Sequence, residues 1–531
     1  MGGNELQESV DIVVVGFGAA GACAAIEAAS AGAEVLVMDR YGGGGATAAS
    51  GGVVYAGGGT SVQAAAGVKD TPAAMADYLR LEVGDAVSPE TLQAFVDDSV
   101  TTIDWLTSQG VPFDGSLCPT KTSYPTNQFY LYYSGSERSF RAQAEPAPRG
   151  HRAKGPGTSG KLLYARLAAA AVRAGARVRP QTEVVGLIVE DGRVTGVECR
   201  TLAGASRWVR ARHRLLSKYA AKPGLYVPAL RKALTRRATR LEQRHGKPMT
   251  VTARRGVVIA AGGFVANREM LRTHAPAYRG GLPLGTSGDD GSGIRLGQSV
   301  GGAVGAMDKV SAWRFITPPS ALLEGVLVAA DGSRVCDESR YGAAIGHELI
   351  THHGGRGWLL IDERGVREAR RQARSQSLWF QYLQVRYLLR VARVRGRTVA
   401  EVAGKVGIDA AGLTRTLDAY NAAPTDPLGK PDELVRPLVE GPFSLIDVSI
   451  KPSVGYPCPM LTLGGLRVDE RTGQVVREGG GVIEGLYAAG RSAVGICSNS
   501  YVSGLSLADC VFSGRRAGRS LASKESDSAH G

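Results

Sequence analysis

The 531-residue sequence predicts an α/β fold in which the two ends of the chain build one domain. Residues 10–15 form a short apolar run that leads into the glycines of 16–21. Similar apolar runs at 256–263 and 485–491 also end in small residues. Short apolar runs that end in glycine-rich turns are typical of buried parallel strands. These three runs predict a Rossmann-like domain split between both chain ends, with an α+β domain inserted between them.

The first run opens a nucleotide-binding pattern. It continues as Gly16-Phe-Gly18-Ala-Ala-Gly21, an alanine-rich helical segment, a strand at 34–38 and the acid Asp39. In such a unit the first glycine permits a tight turn, the second lets the backbone approach a pyrophosphate, and the third lets helix pack on strand. Asp39 is interpreted as the acceptor for a ribose hydroxyl, the alternative being a solvated acid at a strand end.

The segment 42–52 consists almost entirely of glycine, alanine and hydroxyl-bearing residues. Small side chains let a flat cofactor ring and its polyol chain lie against backbone N–H groups. A flexible linker is the alternative. We disfavour it because a linker directly after the second strand would interrupt the fold.

The middle of the chain contains further predicted elements. Helices are expected at about 73–109 and 161–174, and strands at 177–180, 183–190 and 192–199 with a hairpin turn at Asp191-Gly192. From about residue 275 the sequence contains more aromatic residues and fewer regularly spaced glycines. The predicted domains are therefore 8–274 (cofactor domain, first part), 275–445 (inserted catalytic domain), 446–522 (cofactor domain, second part) and 523–531 (disordered tail).

The net charge of +14 comes mainly from one segment. Residues 207–247 carry thirteen lysines and arginines against a single acid, Glu242. Apolar residues alternate with these cations, a pattern typical of helices that lie in the interface of an anionic membrane. We expect peripheral membrane contact through this insertion. The second interpretation is a solvent-exposed insertion without a binding role. Nucleic-acid binding is disfavoured because no recognition motif accompanies the charge.

The cysteine pattern and the first residues predict a cytoplasmic protein, with peripheral attachment to the inner face of the cytoplasmic membrane as an extension. The seven cysteines are scattered, odd in number and form no CxxC pair, which indicates neither a disulfide framework nor a zinc site. Residues 1–9 are short and polar, unlike a secretory signal. His352-His353 has no partner at metal-ligand spacing, so no metal is expected.

Four motifs together resemble one family. They are 16–21, the loop at 43–52, Ala260-Ala-Gly-Gly-Phe264 and Leu486-Tyr-Ala-Ala-Gly490. The combination resembles the fumarate reductase/succinate dehydrogenase flavoprotein superfamily, whose members bind FAD and carry a capping domain inserted in the nucleotide fold. Members with covalent FAD have a histidine beside the flavin loop. Residues 41–50 contain none, so noncovalent FAD is implied.

The resemblance implies a set of FAD-binding residues spread over the four motifs and the chain between them. They are Gly16, Gly18, Ala19, Ala20, Gly21, Asp39, Arg40, Gly45, Ala46, Thr47, Ser50, Gly51, Gly52, Val184, Ala260, Gly262, Asp290, Gly490, Arg491, Ser506 and Leu507.

Within this superfamily the chain looks most like bacterial 3-ketosteroid dehydrogenases of the Δ4-(5α) type. That type carries a Tyr-x-Ser near the C-terminus, matched by Tyr501-Val-Ser503, and a tyrosine from the capping domain, for which Tyr341 is the candidate. Gly504 is implied as a substrate-binding backbone group. Each candidate has a plainer interpretation: Tyr341 as an ordinary half-buried tyrosine, and Ser503 as the cap of the following helix.

The implied reaction places a double bond between C4 and C5 of a 5α-3-ketosteroid. Such a reaction needs a donor to polarise the ketone, a base for the α-proton and a hydride acceptor. The alternatives are a Δ1-dehydrogenase, a fumarate reductase-like enzyme acting on another unsaturated acid or ketone, and a flavin-binding, membrane-recruited scaffold without turnover. The sequence does not identify the electron acceptor. A tyrosine-rich patch at 124–133 is open to interpretation as steroid pocket, core or loop.

Overall fold

The computed structural model describes residues 6–222, 224, 227–278 and 280–523, so most of the predicted tail at 523–531 lies outside the described residues. Helices over this part of the chain are α1 Ala19–Ser30, α2 Gly45–Ala49, α3 Ser61–Ala65, α4 Pro72–Val83, α5 Pro89–Ser108, α6 Gly160–Arg173, α7 Arg207–Ala221, α8 Pro228–His245, α9 Arg268–His274, α10 Ser292–Ser299, α11 Gly342–His353, α12 Glu363–Gln372, α13 Trp379–Arg390, α14 Val399–Val406, α15 Ala410–Ala422 and α16 Leu505–Ala522.

Strands over the same residues are β1 Leu6–Val15, β2 Val35–Asp39, β3 Val53–Tyr55, β4 Leu131–Tyr132, β5 Gly150–Arg152, β6 Arg177–Pro180, β7 Thr182–Glu190, β8 Arg193–Thr201, β9 Lys247–Ile259, β10 Leu282–Pro283, β11 Val304–Gly305, β12 Val310–Ala312, β13 Val326–Val328, β14 Trp358–Ile361, β15 Arg393–Gly396, β16 Phe443–Asp447, β17 Pro459–Thr462, β18 Gly465–Leu466, β19 Gln474–Val476 and β20 Val482–Ala488.

The largest sheet gathers strands from both chain ends in the order β19-β20-β8-β9-β1-β2-β6, with β7 beside β8. Its centre is parallel: β1 pairs with β2 and β9, β6 with β2, and β20 with the second half of β9. The residues of β1 from Val10 onward, and those of β2 up to Met38, are almost completely buried, as expected for a sheet covered on both faces. The fold is therefore mixed α/β, and β1 and β20, more than four hundred positions apart in the chain, belong to one sheet in which both pair with β9.

A second, antiparallel sheet of order β13-β14-β16-β15 packs with helices α11–α15 around its own apolar clusters. The predicted limit at 445 falls inside β16 (Phe443–Asp447), which pairs with β14. The predicted limit at 275 precedes α10 (Ser292–Ser299), which packs into the core of the large sheet. The domain limits themselves stay a prediction.

The predicted helix at 73–109 is two helices, α4 and α5. Gly84, with φ of +53°, ends α4, and Ser88 caps α5 by accepting from the Thr91 N–H. A glycine with positive φ followed by a serine cap and Pro89 ends one helix and begins another.

The basic insertion forms a helical hairpin, α7 and α8, between the antiparallel neighbours β8 and β9. Its single acid, Glu242, is buried and accepts from Arg40 at 2.8 Å and faces the His213 Nε2 at 2.8 Å. The insertion is therefore docked on the large sheet by a buried polar contact. Among the described residues, no helix is long and apolar enough to cross a membrane.

Candidate active site

A cavity of about 650 Å³ lies at the carboxyl ends of β1, β2, β9 and β20. In open parallel sheets this edge is where ligands bind, because loops and helix N-termini converge there. The cavity runs from Arg40 and Tyr41 at one end to Trp313 and Tyr501 at the other.

The glycine turn makes the floor of the cavity. Gly16 has φ of +100°, and a Cβ there would lie 2.5 Å from the Ala260 carbonyl oxygen. A Cβ on Gly21 would lie 2.0 Å from the Gly16 carbonyl oxygen, so this glycine serves the packing of α1 on β1. The N-terminus of α1 opens on the cavity, where a helix presents free N–H groups to an anion.

Asp39 closes the turn from the opposite side. One carboxylate oxygen accepts from the Phe17 N–H at 3.0 Å, and the other accepts from the Tyr41 and Gly43 N–H groups at 2.8 and 3.0 Å. Asp39 therefore fixes three backbone amides around the cavity. Its carboxylate borders the cavity, so the expected contact with a ribose hydroxyl stays a prediction.

Arg491 lies at the middle of the cavity with its guanidinium paired to Asp289. Within the described part of the chain its Nη1 atom is buried without a hydrogen-bond partner. A buried, unpaired donor is costly unless a ligand satisfies it. Together with the bare glycine turn, this donor fits a bound pyrophosphate, which is the group that FAD would place there.

The cavity brings together most of the predicted cofactor residues. Those that border it are Gly16, Gly18, Ala19, Ala20, Asp39, Arg40, Gly45, Ala46, Thr47, Ser50, Val184, Ala260, Gly262, Gly490, Arg491, Ser506 and Leu507. Gly21, Gly51, Gly52 and Asp290 do not border it. Asp290 instead lies 3.4 Å from Arg40, and its neighbour Asp289 borders the cavity.

The far end of the cavity is aromatic. The ring of Tyr501 stacks on Trp313 with centroids 5.0 Å apart, and it lies 6.1 Å from the ring of Tyr341. Phe315 packs edge-on against Tyr341 at 5.5 Å. Tyr341 precedes α11 of the second sheet's domain, yet it shares an apolar cluster with Tyr501. Two hydroxyl groups are thus held in apolar surroundings at the junction of the two sheets.

Ser503 lies beside these tyrosines and does not cap a helix. The residue that caps α16 is Gly504, whose φ is +94°. The Ser503 hydroxyl instead lies 3.0 Å from the Tyr132 hydroxyl, and its carbonyl accepts from Ser134 at 3.0 Å. The small sheet β3-β5-β4 sets this contact, because Tyr132 is on β4 and the Tyr55 N–H of β3 donates to the Gly504 carbonyl.

Burial controls the protonation of this cluster. It raises the pKa of Tyr341 well above its ordinary value, and the nearby Tyr501 and Tyr132 raise it further, while a hydrogen bond with Ser503 opposes the shift. Burial likewise raises the pKa of Tyr501 and Tyr132. All three tyrosines are neutral near pH 7 and so keep a hydroxyl proton to donate.

Three residues of the site were not predicted to act in it. Tyr132 belonged to an aromatic patch with no assigned role, and Trp313 and Asp289 carried no motif. Position 289 lies next to the predicted Asp290 in a Gly-Asp-Asp-Gly turn, so the sequence pointed within one residue of it. Among the described residues, no group of His, Cys, Asp and Glu could hold a metal ion.

Comparison with known proteins places this geometry in context. Residues 11–504 match the family model described as FAD binding domain. A 3-oxo-5-alpha-steroid 4-dehydrogenase of Comamonas testosteroni is 39% identical over 91% of this chain and 92% of its own. A 3-oxosteroid 1-dehydrogenase of Mycobacterium tuberculosis is 28% identical over 93% of this chain and 94% of its own. The crystal structure of 3-ketosteroid-delta4-(5alpha)-dehydrogenase from Rhodococcus jostii RHA1 in complex with 4-androstene-3,17-dione superposes with a TM-score of 0.82 at 33% identity, covering 98% of both chains.

Proposed function

Because the chain belongs to the FAD binding domain family, we propose that it is an FAD-dependent dehydrogenase that forms the C4–C5 double bond of 5α-3-ketosteroids. The observation that carries the proposal is the meeting of Tyr341, Tyr501 and Ser503, from distant parts of the chain, beside one cofactor cavity. The 39% identity to a 3-oxo-5-alpha-steroid 4-dehydrogenase exceeds the 28% to a 3-oxosteroid 1-dehydrogenase, which favours the Δ4 reaction over Δ1.

The proposed architecture is a Rossmann-like FAD-binding domain split between both chain ends and capped by the domain that carries the second sheet. Support comes from the pairing of β20 with β9 in the same sheet as β1, and from Tyr341, which precedes α11 and packs against Tyr501 at the cavity. The FAD is held noncovalently. Backbone N–H groups of the glycine turn and the Arg491 guanidinium bind its phosphates.

When bound, FAD supplies the acceptor for the hydrogen that leaves C5 of the substrate. Tyr501 and the Gly504 N–H hold the C3 ketone oxygen, which makes the C4 proton more acidic. The C4 proton leaves by a concerted relay: the Ser503 oxygen takes it, the Ser503 hydroxyl proton passes to the Tyr341 oxygen, and the Tyr341 hydroxyl proton passes on to solvent, so that neither residue gains a charge. Tyr132 donates a hydrogen bond to Ser503 and keeps the Ser503 hydroxyl aimed at C4. Tyr132 is therefore a positioning residue.

The apolar walls around these hydroxyls serve the same chemistry. Trp313 and Phe315 exclude water from the tyrosines, and a hydrogen bond to a ketone is stronger where the surroundings are apolar. A neutral tyrosine also loses less hydration than an ionised group on burial. The site therefore suits a neutral, nonpolar ketone better than a dicarboxylate.

We further propose that the protein is cytoplasmic and contacts the inner face of the cytoplasmic membrane through the hairpin of 207–247. Trp208 and Leu215 on α7 are 85% and 54% exposed, and Tyr219 is 47% exposed, among several exposed cations. Exposed aromatic and aliphatic side chains beside lysine and arginine suit a bilayer interface. Loss of binding to anionic vesicles in a W208S/L215S variant, with flavin content unchanged, would support this contact. Equal binding of anionic vesicles by the variant and the wild type would contradict the proposed membrane contact.

An anaerobic titration tests the reaction directly. The purified holoenzyme is mixed with 5α-androstane-3,17-dione or with 4-androstene-3,17-dione, and the visible flavin absorbance is followed. Bleaching by the saturated ketone alone, with the 4-ene as product, is the expected result. Bleaching by the 4-ene identifies a Δ1 enzyme. Failure of both steroids to bleach a bound flavin overturns the proposal and favours the scaffold alternative, and lack of flavin in the purified protein overturns FAD binding itself.

A further inference from the structure

A second, larger concavity lies outside the catalytic cluster. It has a volume of about 1150 Å³ and is walled by α8 on one side and by α9, β10 and residues 452–460 on the other. It meets the cofactor cavity only at a shared wall that includes Arg40 and Tyr41. One wall therefore comes from the basic hairpin, and the proposed steroid chemistry makes no use of this groove.

The groove is strongly cationic. The side chains that give it this charge are Arg231, Lys232 and Arg236 of α8, Arg268 and Arg272 of α9, and Arg295 of α10. Lys232 and Arg236, like Arg268 and Arg272, are four residues apart and so share a helix face. The carboxylate that borders the groove is Asp290, which already pairs with Arg40 at 3.4 Å.

These cations are not neutralised by the protein. Over residues 6–222, 224, 227–278 and 280–523, no carboxylate lies within ion-pair distance of Lys232, Arg236, Arg268 or Arg272. Converging like charges repel one another and raise the local concentration of anions. An anionic ligand would relieve that repulsion.

Arg231 shows that the groove contains a buried, hydrogen-bonded cation and is more than a charged surface. Its side chain is 8% exposed, and its guanidinium donates to the carbonyls of Pro283, at 3.2 Å, and Gly285. Its Nε atom is buried without a partner in the described structure. Burial lowers its pKa, as expected for a cation without a paired carboxylate. A buried guanidinium with an unsatisfied donor needs an acceptor from a ligand.

The opposite wall of the groove is apolar. Val265, Leu271, Leu282, Pro283, Val454 and Met460 line it, and Val454 is 99% exposed at its edge. A purely inorganic anion would leave this wall in water. A ligand with an anionic head and a nonpolar body would cover it, and each methylene buried against this wall would strengthen binding.

We propose that this groove is a binding site for an organic phosphate ester, with the phosphate on the arginines of α8 and α9 and the nonpolar part on the wall of 452–460. Arginine is the side chain best matched to phosphate, because its planar fork donates two parallel hydrogen bonds. Two sources share this chemistry. One is the headgroup of an anionic phospholipid, and the other is a free phosphate ester in solution.

Calorimetric titration of the FAD-loaded enzyme separates these possibilities. The probes are pyrophosphate, geranyl diphosphate and vesicles of phosphatidylcholine with phosphatidylglycerol. The test variant is R236Q/R272Q, and the matched control is R237Q/R244Q, which removes the same charge from exposed positions of α8 that do not border the groove. Visible flavin absorbance verifies that every sample carries FAD.

The expected result is tighter binding of geranyl diphosphate than of pyrophosphate, weakened by about tenfold or more in R236Q/R272Q and by less than about threefold in the control. Binding of vesicles alone, lost in the same variant, assigns the groove to a lipid headgroup. Equal weakening in both variants overturns the proposal, because the effect would then be general charge. Binding of diphosphates only to the FAD-free protein also overturns it, because the ligand would then occupy the cofactor cavity.

Discussion

The Tyr132 hydroxyl lies 3.0 Å from the Ser503 hydroxyl, although 371 positions separate the two residues in the chain. Tyr132 is fully buried on β4, and Ser503 lies in the turn before α16. A hydroxyl group offers one proton and two lone pairs. With Tyr132 donating, Ser503 keeps one lone pair for the substrate and one proton for Tyr341. The contact allows either hydroxyl to donate, and the proposed relay requires Tyr132 to be the donor.

Replacing Tyr132 by Phe tests this contact. We expect kcat to fall about three- to tenfold with little change in KM, because one neutral hydrogen bond that orients the base is lost. Steady-state kinetics with a 5α-3-ketosteroid measures the effect. Tyr133→Phe is the matched control, since its ring stacks under Arg138 and its hydroxyl has no bond to Ser503. A fall in KM alone, or equal losses in both variants, would contradict the orienting role.

Replacing Tyr501 or Tyr341 by Phe removes a hydroxyl group that would act directly. We expect turnover to fall by about 10²-fold or more in each variant, because general acid–base groups contribute about that factor. Flavin absorbance serves as the control for cofactor loading. Near-normal rates in both variants with FAD bound would exclude these tyrosines from the reaction.

The raised tyrosine pKa values predict the alkaline side of the pH profile. Burial raises the pKa of Tyr341 and of Tyr501, so both hydroxyls stay protonated above the usual tyrosine pKa of about 10. The protonated form is the hydrogen-bond donor. We therefore expect kcat to hold from pH 7 to about pH 10. If kcat of the wild type declined with an apparent pKa below that of free tyrosine, and this decline were absent from Tyr501→Phe, the prediction would be contradicted.

Gly16→Ala should impair folding and cofactor loading. The added Cβ would lie 2.5 Å from the Ala260 carbonyl oxygen at a φ of +100°. Gly32→Ala is a matched control, because Gly32 has φ of +87° but open space around its Cβ position. Both variants carry the cost of positive φ, about 1–2 kcal/mol. Only Gly16→Ala should also lose flavin, as measured by absorbance and thermal unfolding.

The buried ion pair of Asp70 and Arg149 should support the stability of the fold. The two side chains are fully buried, with 2.7 Å between Arg149 Nη2 and Asp70 Oδ1. Asp70→Asn leaves an uncompensated arginine, so we expect a loss of about 3–5 kcal/mol in the free energy of unfolding at pH 7. Asp77→Asn, at a half-exposed pair, should cost about 0–1 kcal/mol.

The ion pair of Asp70 and Arg149 also makes the stability of the fold depend on pH. Burial alone would raise the pKa of Asp70, but the hydrogen bond and the charge of Arg149, together with hydrogen bonds from the Gly58 N–H and Gln63, outweigh it, and the net shift is downward from 3.8. A lowered folded-state pKa means that the pair's stabilisation is complete above the unfolded value and is lost as pH falls through the folded one. Thermal unfolding of wild type and Asp70→Asn should therefore converge only below about pH 4. Convergence at neutral pH would contradict the pairing.

Much of the site could be predicted because local chemistry dictates it. Gly16, Gly18 and Gly21 carry their roles in their spacing, since a tight turn and close packing require glycine whatever surrounds it. The roles of Tyr501 and Ser503 were predicted from the resemblance of a Tyr-x-Ser motif next to a glycine turn. By contrast, Tyr132 had no local signal, because its partner lies hundreds of residues away. The extent of β16 across residue 445 likewise depends on its pairing with β14 and β15.

The sequence by itself determined the α/β class and the nucleotide-binding turn, because apolar runs and glycines act through their immediate neighbours. The roles of Tyr501 and Ser503 stay a prediction that the resemblance of the Tyr-x-Ser implies. Only the tertiary structure decided which distant groups meet. It brought Tyr132 to Ser503, placed Asp289 and not Asp290 on Arg491, and docked the basic hairpin through Glu242 so that its arginines face a groove. Contacts of this kind arise when sheets and helices pack, and no short stretch of sequence records them.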